Sequence, residues 1–138
     1  MTTDHYQPDS YFGGAYMGNE YNAESNTVVT SQRVCPFVLG RMSEAIGKPG
    51  QDIMHEVTES YEGGKMALEN KNGDSTPGKN NRYYEEAHKR ATPQTPVETT
   101  QGLNWNYEYY RPPRLVPSIY YYVYNNGKPI LIYNERLN

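Results

Sequence analysis

The 138 residues suit one domain with a single modest core. Lys and Arg number 13 against 16 Asp and Glu, a net charge of -3 with no basic stripe, so no nucleic-acid partner is expected. Only 36 % of residues are hydrophobic and no apolar run approaches the length of a membrane span, so no membrane partner is expected either.

The opening MTTDHYQPDS has neither a basic region nor an apolar one behind it, which predicts cytoplasmic synthesis without a signal peptide. Residues 1–26 read as an extended N-terminal arm. Tyr6, Tyr11, Tyr16 and Tyr21 recur every five residues among Gly, Asn, Asp and Pro, a period that fits neither helix nor strand. Tyrosine combines a rigid apolar body with a polar tip, and the chain holds 15 of them against 2 Phe and 1 Trp. Docking of Tyr6, Tyr11 and Tyr16 on other chains is therefore expected. Packing of the arm onto its own domain is the competing account. His5 lies in this arm and is a poor ligand candidate for that reason.

A single domain is expected over 27–138. TVVTSQRV, 27–34, is a β-branched strand. Cys35 is the lone cysteine, so no internal disulfide and no cysteine-rich zinc site can form. Pro36 fits the first turn of a helix over about 36–47, with Val38, Met42, Ala45 and Ile46 on one face and Gly47 and Pro49 at its end. A main helix is expected over about 50–67, weakened near its end by Gly63 and Gly64. Residues 69–81 form a polar loop with turn signals, expected to be mobile or to face a partner. A third helix over 82–91 places Tyr84, Ala87, His88 and Ala91 on one face. The segment 92–100 should be extended, and the prolines at 112, 113 and 117 continue an irregular course. Trp105, Tyr107 and Tyr109 alternate with polar residues in the manner of a half-buried strand. A Tyr-rich hairpin over 118–137 turns at Asn126-Gly127 and is apolar on both faces.

The chemistry concentrates in the main helix. His55 and Glu59 stand four residues apart, on one face and about one turn up the axis, so both side chains can grip one ion. Glu56 lies about 100° round the helix from His55 and can reach a water on that ion. Ile53, Val57, Tyr61 and Gly64 cluster elsewhere, which predicts an apolar back and a polar front. His88 points the way the small residues of its helix point, toward the protein body, and is the best third ligand. A histidine satisfied by an ordinary hydrogen bond competes with that role, and a solvated acidic helix face competes for the whole motif.

The pattern H-E-x-x-E at 55–59 resembles the active-site helix of the zincin metallopeptidases, H-E-x-x-H, with a carboxylate in place of the second His. The resemblance implies His55 as a zinc ligand and Glu56 as general base. Glu59 departs from the pattern but remains an accepted zinc ligand. Tyr83, Tyr84 and Lys65 are the candidates for stabilising an oxyanion. No G-x-S-x-G and no G-x-x-x-x-G-K is present, so a serine hydrolase and a P-loop are not expected.

The expected fold is α+β: a small zincin-like helical core, a C-terminal Tyr-rich β-hairpin and extended arms. The tyrosine arm and the two-faced hairpin favour a structural or interaction subunit of a multi-subunit assembly. That profile is similar to an accessory protein of a tailed-phage virion, and the resemblance implies location in a virion or another extracellular assembly. The alternative is a small zinc-dependent peptidase using His55, Glu59 and His88 as ligands.

Overall fold

The computed structural model describes residues 12–137, so His5, Tyr6 and Tyr11 lie outside the described residues. The described residues are mixed α and β, with two antiparallel sheets and three α-helices. Strand β2 (Thr27–Val34) forms where its β-branched run predicts. It pairs with β1 (Gly14–Asn22), Gly14 opposite Val34 and Asn22 opposite Thr27, with an irregularity between Tyr16 and Asn19. This corrects the expectation of an arm up to residue 26. GAYMGNEYN has little strand propensity of its own, and its order comes from pairing and from the helix beneath it.

That helix is α2 (Gln51–Asn70), 20 residues long. Tyr16 is fully buried against it, its hydroxyl accepting a hydrogen bond from Asn19 Nδ2. The same amide reaches the Gly63 carbonyl at 3.4 Å. Tyr16 therefore docks on its own domain and not on another chain. Gly63 and Gly64 do not end the helix. A Cβ at Gly63 would strike the Tyr16 phenol, and one at Gly64 would stand 2.6 Å from Thr30 Oγ1. The two glycines let the β1–β2 hairpin lie close along α2.

Helix α1 (Pro36–Ala45) buries Val38, Leu39 and Met42 against Val123 and Ile132, with Phe12, Cys35, Ile53 and Ile130 around them. A buried carboxylate fastens it to α2. Ser43 Oγ and Thr95 Oγ1 both donate to Asp52 Oδ2 at 2.7 Å, and the Thr95 N–H donates to Oδ1 at 2.7 Å. One side chain thus joins α1, α2 and the extended segment after the third helix.

The polar loop, expected to be mobile or to face a partner, is tied to its surroundings by hydrogen bonds. The Asp74 carbonyl accepts from the Asn19 N–H and from Asn81 Nδ2, and the Asp74 carboxylate accepts from the N–H groups of Thr76 and Arg82. A short 3₁₀ turn (Gly78–Asn80) leads into α3 (Tyr84–Arg90).

The second sheet has the order β3 (Glu98–Asn106), β4 (Arg114–Asn125), β5 (Lys128–Arg136). The β4–β5 hairpin and its Asn126-Gly127 turn lie where the sequence places them. Strand β4 starts earlier than expected and runs through Pro117, opposite Leu103. The Pro117 carbonyl accepts from the Leu137 N–H at 2.8 Å, so its missing N–H falls on the side of β5, at the end of that strand, and the pairing with β3 is not interrupted. Tyr107 and Tyr109 fall outside β3 and are exposed. One face of the hairpin, with Tyr121, Val123 and Ile132, is buried within the chain, whereas Tyr124 and Leu131 are exposed. No helix among the described residues is long and apolar enough to cross a membrane.

Gly63→Ala should destabilise the protein by up to about 2 kcal/mol in urea unfolding. Overpacking of roughly 1–3 kcal/mol outweighs the gain of about 1 kcal/mol from replacing a helical glycine. A stabilised variant would contradict the close approach of β1 to α2. Burial pushes the Tyr16 phenol from 10.0 up to about 12, against the opposing hydrogen bond from Asn19 and with support from the negative charges of Glu59 and Asp74. A raised folded-state value means that this contribution is complete below pH 10 and is lost as pH rises toward 12. The unfolding free energy of the wild type should therefore fall more between pH 9.5 and 11.5 than that of Tyr16→Phe, measured by urea titration.

Candidate metal centre

The sequence predicts an apolar back and a polar front for α2, and the helix packs the other way round. Asp52, His55, Glu56 and Glu59 are buried, at 3 % exposure or less, while Val57 is 54 % and Tyr61 63 % exposed. Burying ionisable groups is costly unless each finds partners. Here the partners come from three other elements.

Glu59 is the meeting point. Its Oε2 lies 2.7 Å from His88 Nδ1 and 3.3 Å from His55 Nε2. Its Oε1 accepts from Gln32 Nε2 of β2 at 3.0 Å. The rings of His55 and His88 meet edge to face, 4.8 Å between centroids, and Tyr84 stacks on His88 at 5.3 Å. The ligand atoms of His55, Glu59 and His88 all lie within 4.8 Å of one another. The three residues nominated from the sequence are therefore brought together, two from α2 and one from α3.

The donor set could hold a divalent cation, with ligand atoms that spread over up to 4.8 Å drawing together around it. His55 Nδ1 lies 2.7 Å from the Thr92 carbonyl, which can only accept, so Nδ1 carries a proton. In the neutral ring Nε2 then holds its lone pair toward Glu59 Oε2. Two lone pairs at 3.3 Å repel unless a proton or a metal ion lies between them. Two ligands each about 2.0–2.1 Å from a tetrahedral zinc ion stand about 3.3 Å apart. His55 and Glu59 have that spacing already. His88 and Glu59, at hydrogen-bond distance, would need to part by about 0.6 Å.

Burial lowers the affinity of His55 for a proton, but the hydrogen bonds to Glu59 and Thr92 and the two nearby carboxylates outweigh it, and its pKa is raised above 6.5. Glu59 shows the opposite balance. Burial pushes it up, and hydrogen bonds from His55, Gln32 and His88 bring it below 4.5. Glu56 is dominated by burial and is pushed from 4.5 up to about 7, against the hydrogen bond from Gln32. Two carboxylates one turn apart are thus pushed in opposite directions, Glu59 down and Glu56 up.

His55, Glu56, Glu59 and His88 line one cavity of about 190 Å³, with Phe12, Tyr16 and Tyr84 among its other walls. Of the three oxyanion candidates only Tyr84 is there. The Tyr83 hydroxyl is committed to the Asn72 carbonyl, and Lys65 is exposed and is not among the cavity's lining residues. Two contributors were not anticipated, Gln32 and the Thr92 carbonyl. Gln32 shares the inward face of β2 with Val28 and Thr30, so its direction could be read from strand alternation, but its pairing with Glu56 and Glu59 could not.

No protein-family model, curated protein or solved structure matches the chain.

Zinc in excess should raise the thermal midpoint. Ligand at 100 times its Kd contributes about 2.7 kcal/mol to the folded state. His88→Ala should remove most of this shift in differential scanning calorimetry. An equal shift in the variant would place the ion elsewhere.

Proposed function

We propose that the chain is a small zinc-dependent hydrolase of the zincin-like kind, acting on peptide bonds. His55, Glu59 and His88 hold the ion in this reading, and Glu56 is the general base. A single observation carries it: the three ligand atoms and Glu56 share the wall of one open cavity. Structural zinc sites are closed by four protein ligands, whereas catalytic sites keep a position free for water or substrate. Bound zinc would supply Lewis acidity and a water of lowered pKa.

The protein's own residues have distinct tasks in this reading. The Thr92 carbonyl fixes the tautomer and ring orientation of His55. Glu59 contributes one negative charge among two imidazoles. Glu56 accepts the proton of the attacking water and passes it to the leaving amine, the two roles of one general acid–base group. Tyr84 lines the cavity and is the oxyanion donor in this reading.

A second reading is supported by a different surface. Met54, Val57, Tyr61 and Leu68 follow the apolar seam spacing along the solvent side of α2, and all four are exposed. Such a stripe suits an interaction subunit of a larger assembly, of which an accessory virion protein is one case. The stripe lies on the opposite side of α2 from the cavity, so the two readings are compatible.

Glu56→Gln should reduce cleavage of a susceptible peptide by about 10²–10⁴-fold, because an amide cannot take the proton. Zinc content should stay at the wild-type level. Undiminished cleavage by the variant would remove Glu56 from the mechanism. No metal-dependent cleavage by wild type across a peptide library would leave the interaction reading.

A further inference from the structure

Glu56 and Glu59 are one helical turn apart, both buried, and both accept from the same group. Gln32 Nε2 has two hydrogens, and the geometry gives one to Glu56 Oε2 and the other to Glu59 Oε1. The opposite amide orientation would set Gln32 Oε1 against two carboxylate oxygens, so the bonding pattern itself assigns the nitrogen. Strand β2 delivers this amide in a fixed position. Gln32 lies opposite Tyr16 in the β1–β2 pair, and Tyr16 is locked over Gly63. Two residues away on the same strand face, Thr30 abuts Gly64. Thr30 and Gln32 therefore step along α2 from Gly64 toward Glu59 and Glu56. On the other side Gly14 leaves Glu56 room: a Cβ there would stand 2.5 Å from the Glu56 carboxyl carbon.

The consequence is a division of labour within one carboxylate. Glu59 Oε1 is committed to Gln32, and only Oε2 faces the two histidines. We propose that Gln32 is the positioning residue of the centre, holding Glu59 to one-oxygen ligation of the cation and fixing the Glu56 carboxylate beside it. This rests on the metal centre proposed above. One-oxygen ligation by Glu59 with two imidazoles leaves a four-coordinate ion one vacant position. A Glu59 that bound through both oxygens would fill that position. Loss of an orienting partner behind a ligand commonly weakens metal affinity 10–100-fold.

Cobalt(II) is the probe, because its visible d–d band is strong in four-coordinate sites and weak in five-coordinate ones. Full-length wild type loaded with cobalt should give the strong band. In Gln32→Met, which keeps the length of the side chain and removes its N–H donors, Glu59 Oε1 is released. The band should lose intensity, and the cobalt Kd, read by competition with a chromophoric chelator, should rise at least tenfold. Gln32→Asn withdraws the amide by one methylene and should shift the band in the same direction, which keeps the assignment testable if the Met variant fails to fold. A wild-type band and Kd in a folded Gln32 variant would overturn the role of Gln32 and leave the metal centre standing. No d–d band from wild type would overturn the centre, and the role of Gln32 with it.

Discussion

The burial of the Glu59 carboxylate is the constraint that organises this molecule. A lone ionised carboxylate away from water is costly, and it persists only where hydrogen bonds surround it. Here they come from α2 itself through His55, from α3 through His88 and from β2 through Gln32. Each of those elements must be in place for the charge to be tolerated. The hairpin is held over the helix by Tyr16 on Gly63, and the segment after α3 by Asp52 and by His55, whose Nδ1 donates to the Thr92 carbonyl. The packing of the α2 side of the chain thus converges on one oxygen-rich and nitrogen-rich point.

This explains why α2 turns its polar face inward. The apolar core lies elsewhere, between α1 and the three-stranded sheet, where Val38, Leu39 and Met42 meet Val123 and Ile132. That core leaves α2 only a small apolar contribution to make. The helix attaches instead through glycine contacts and buried polar networks. Such networks are specific when fully satisfied and costly when a member is missing. A surface built this way suits a site that must hold charged groups in one arrangement.

Several elements were legible because local chemistry decided them. Pro36 and the apolar spacing behind it marked α1, and Asn126-Gly127 marked the β4–β5 turn. The i, i+4 spacing of His55 and Glu59 placed two ligand candidates together, and the inward direction of His88 on its own helix suggested the third. What remained hidden depended on partners distant in sequence. β1 looks like an arm because Gly and Asn dominate it, and only α2 and β2 make it a strand. The amphipathic reading of α2 failed because apolar Val57 and Tyr61 were assumed to face inward, while the acids had partners that no local pattern announces. Pro117 looked like a break in β4 because the side on which its missing N–H falls, the end of β5 and not β3, is set by the sheet. Gln32 was overlooked for the same reason, as an ordinary polar residue whose two acceptors lie 24 and 27 positions away.

The central claim is that the point on which the α2 side converges is a metal centre. X-ray absorption at the zinc edge, on full-length protein purified without chelator, addresses it directly. The account requires one zinc per chain with nitrogen and oxygen neighbours at about 2.0–2.2 Å, imidazole scattering and no sulfur. Protein that takes up no zinc, or zinc bound with a sulfur shell near 2.3 Å, would contradict it.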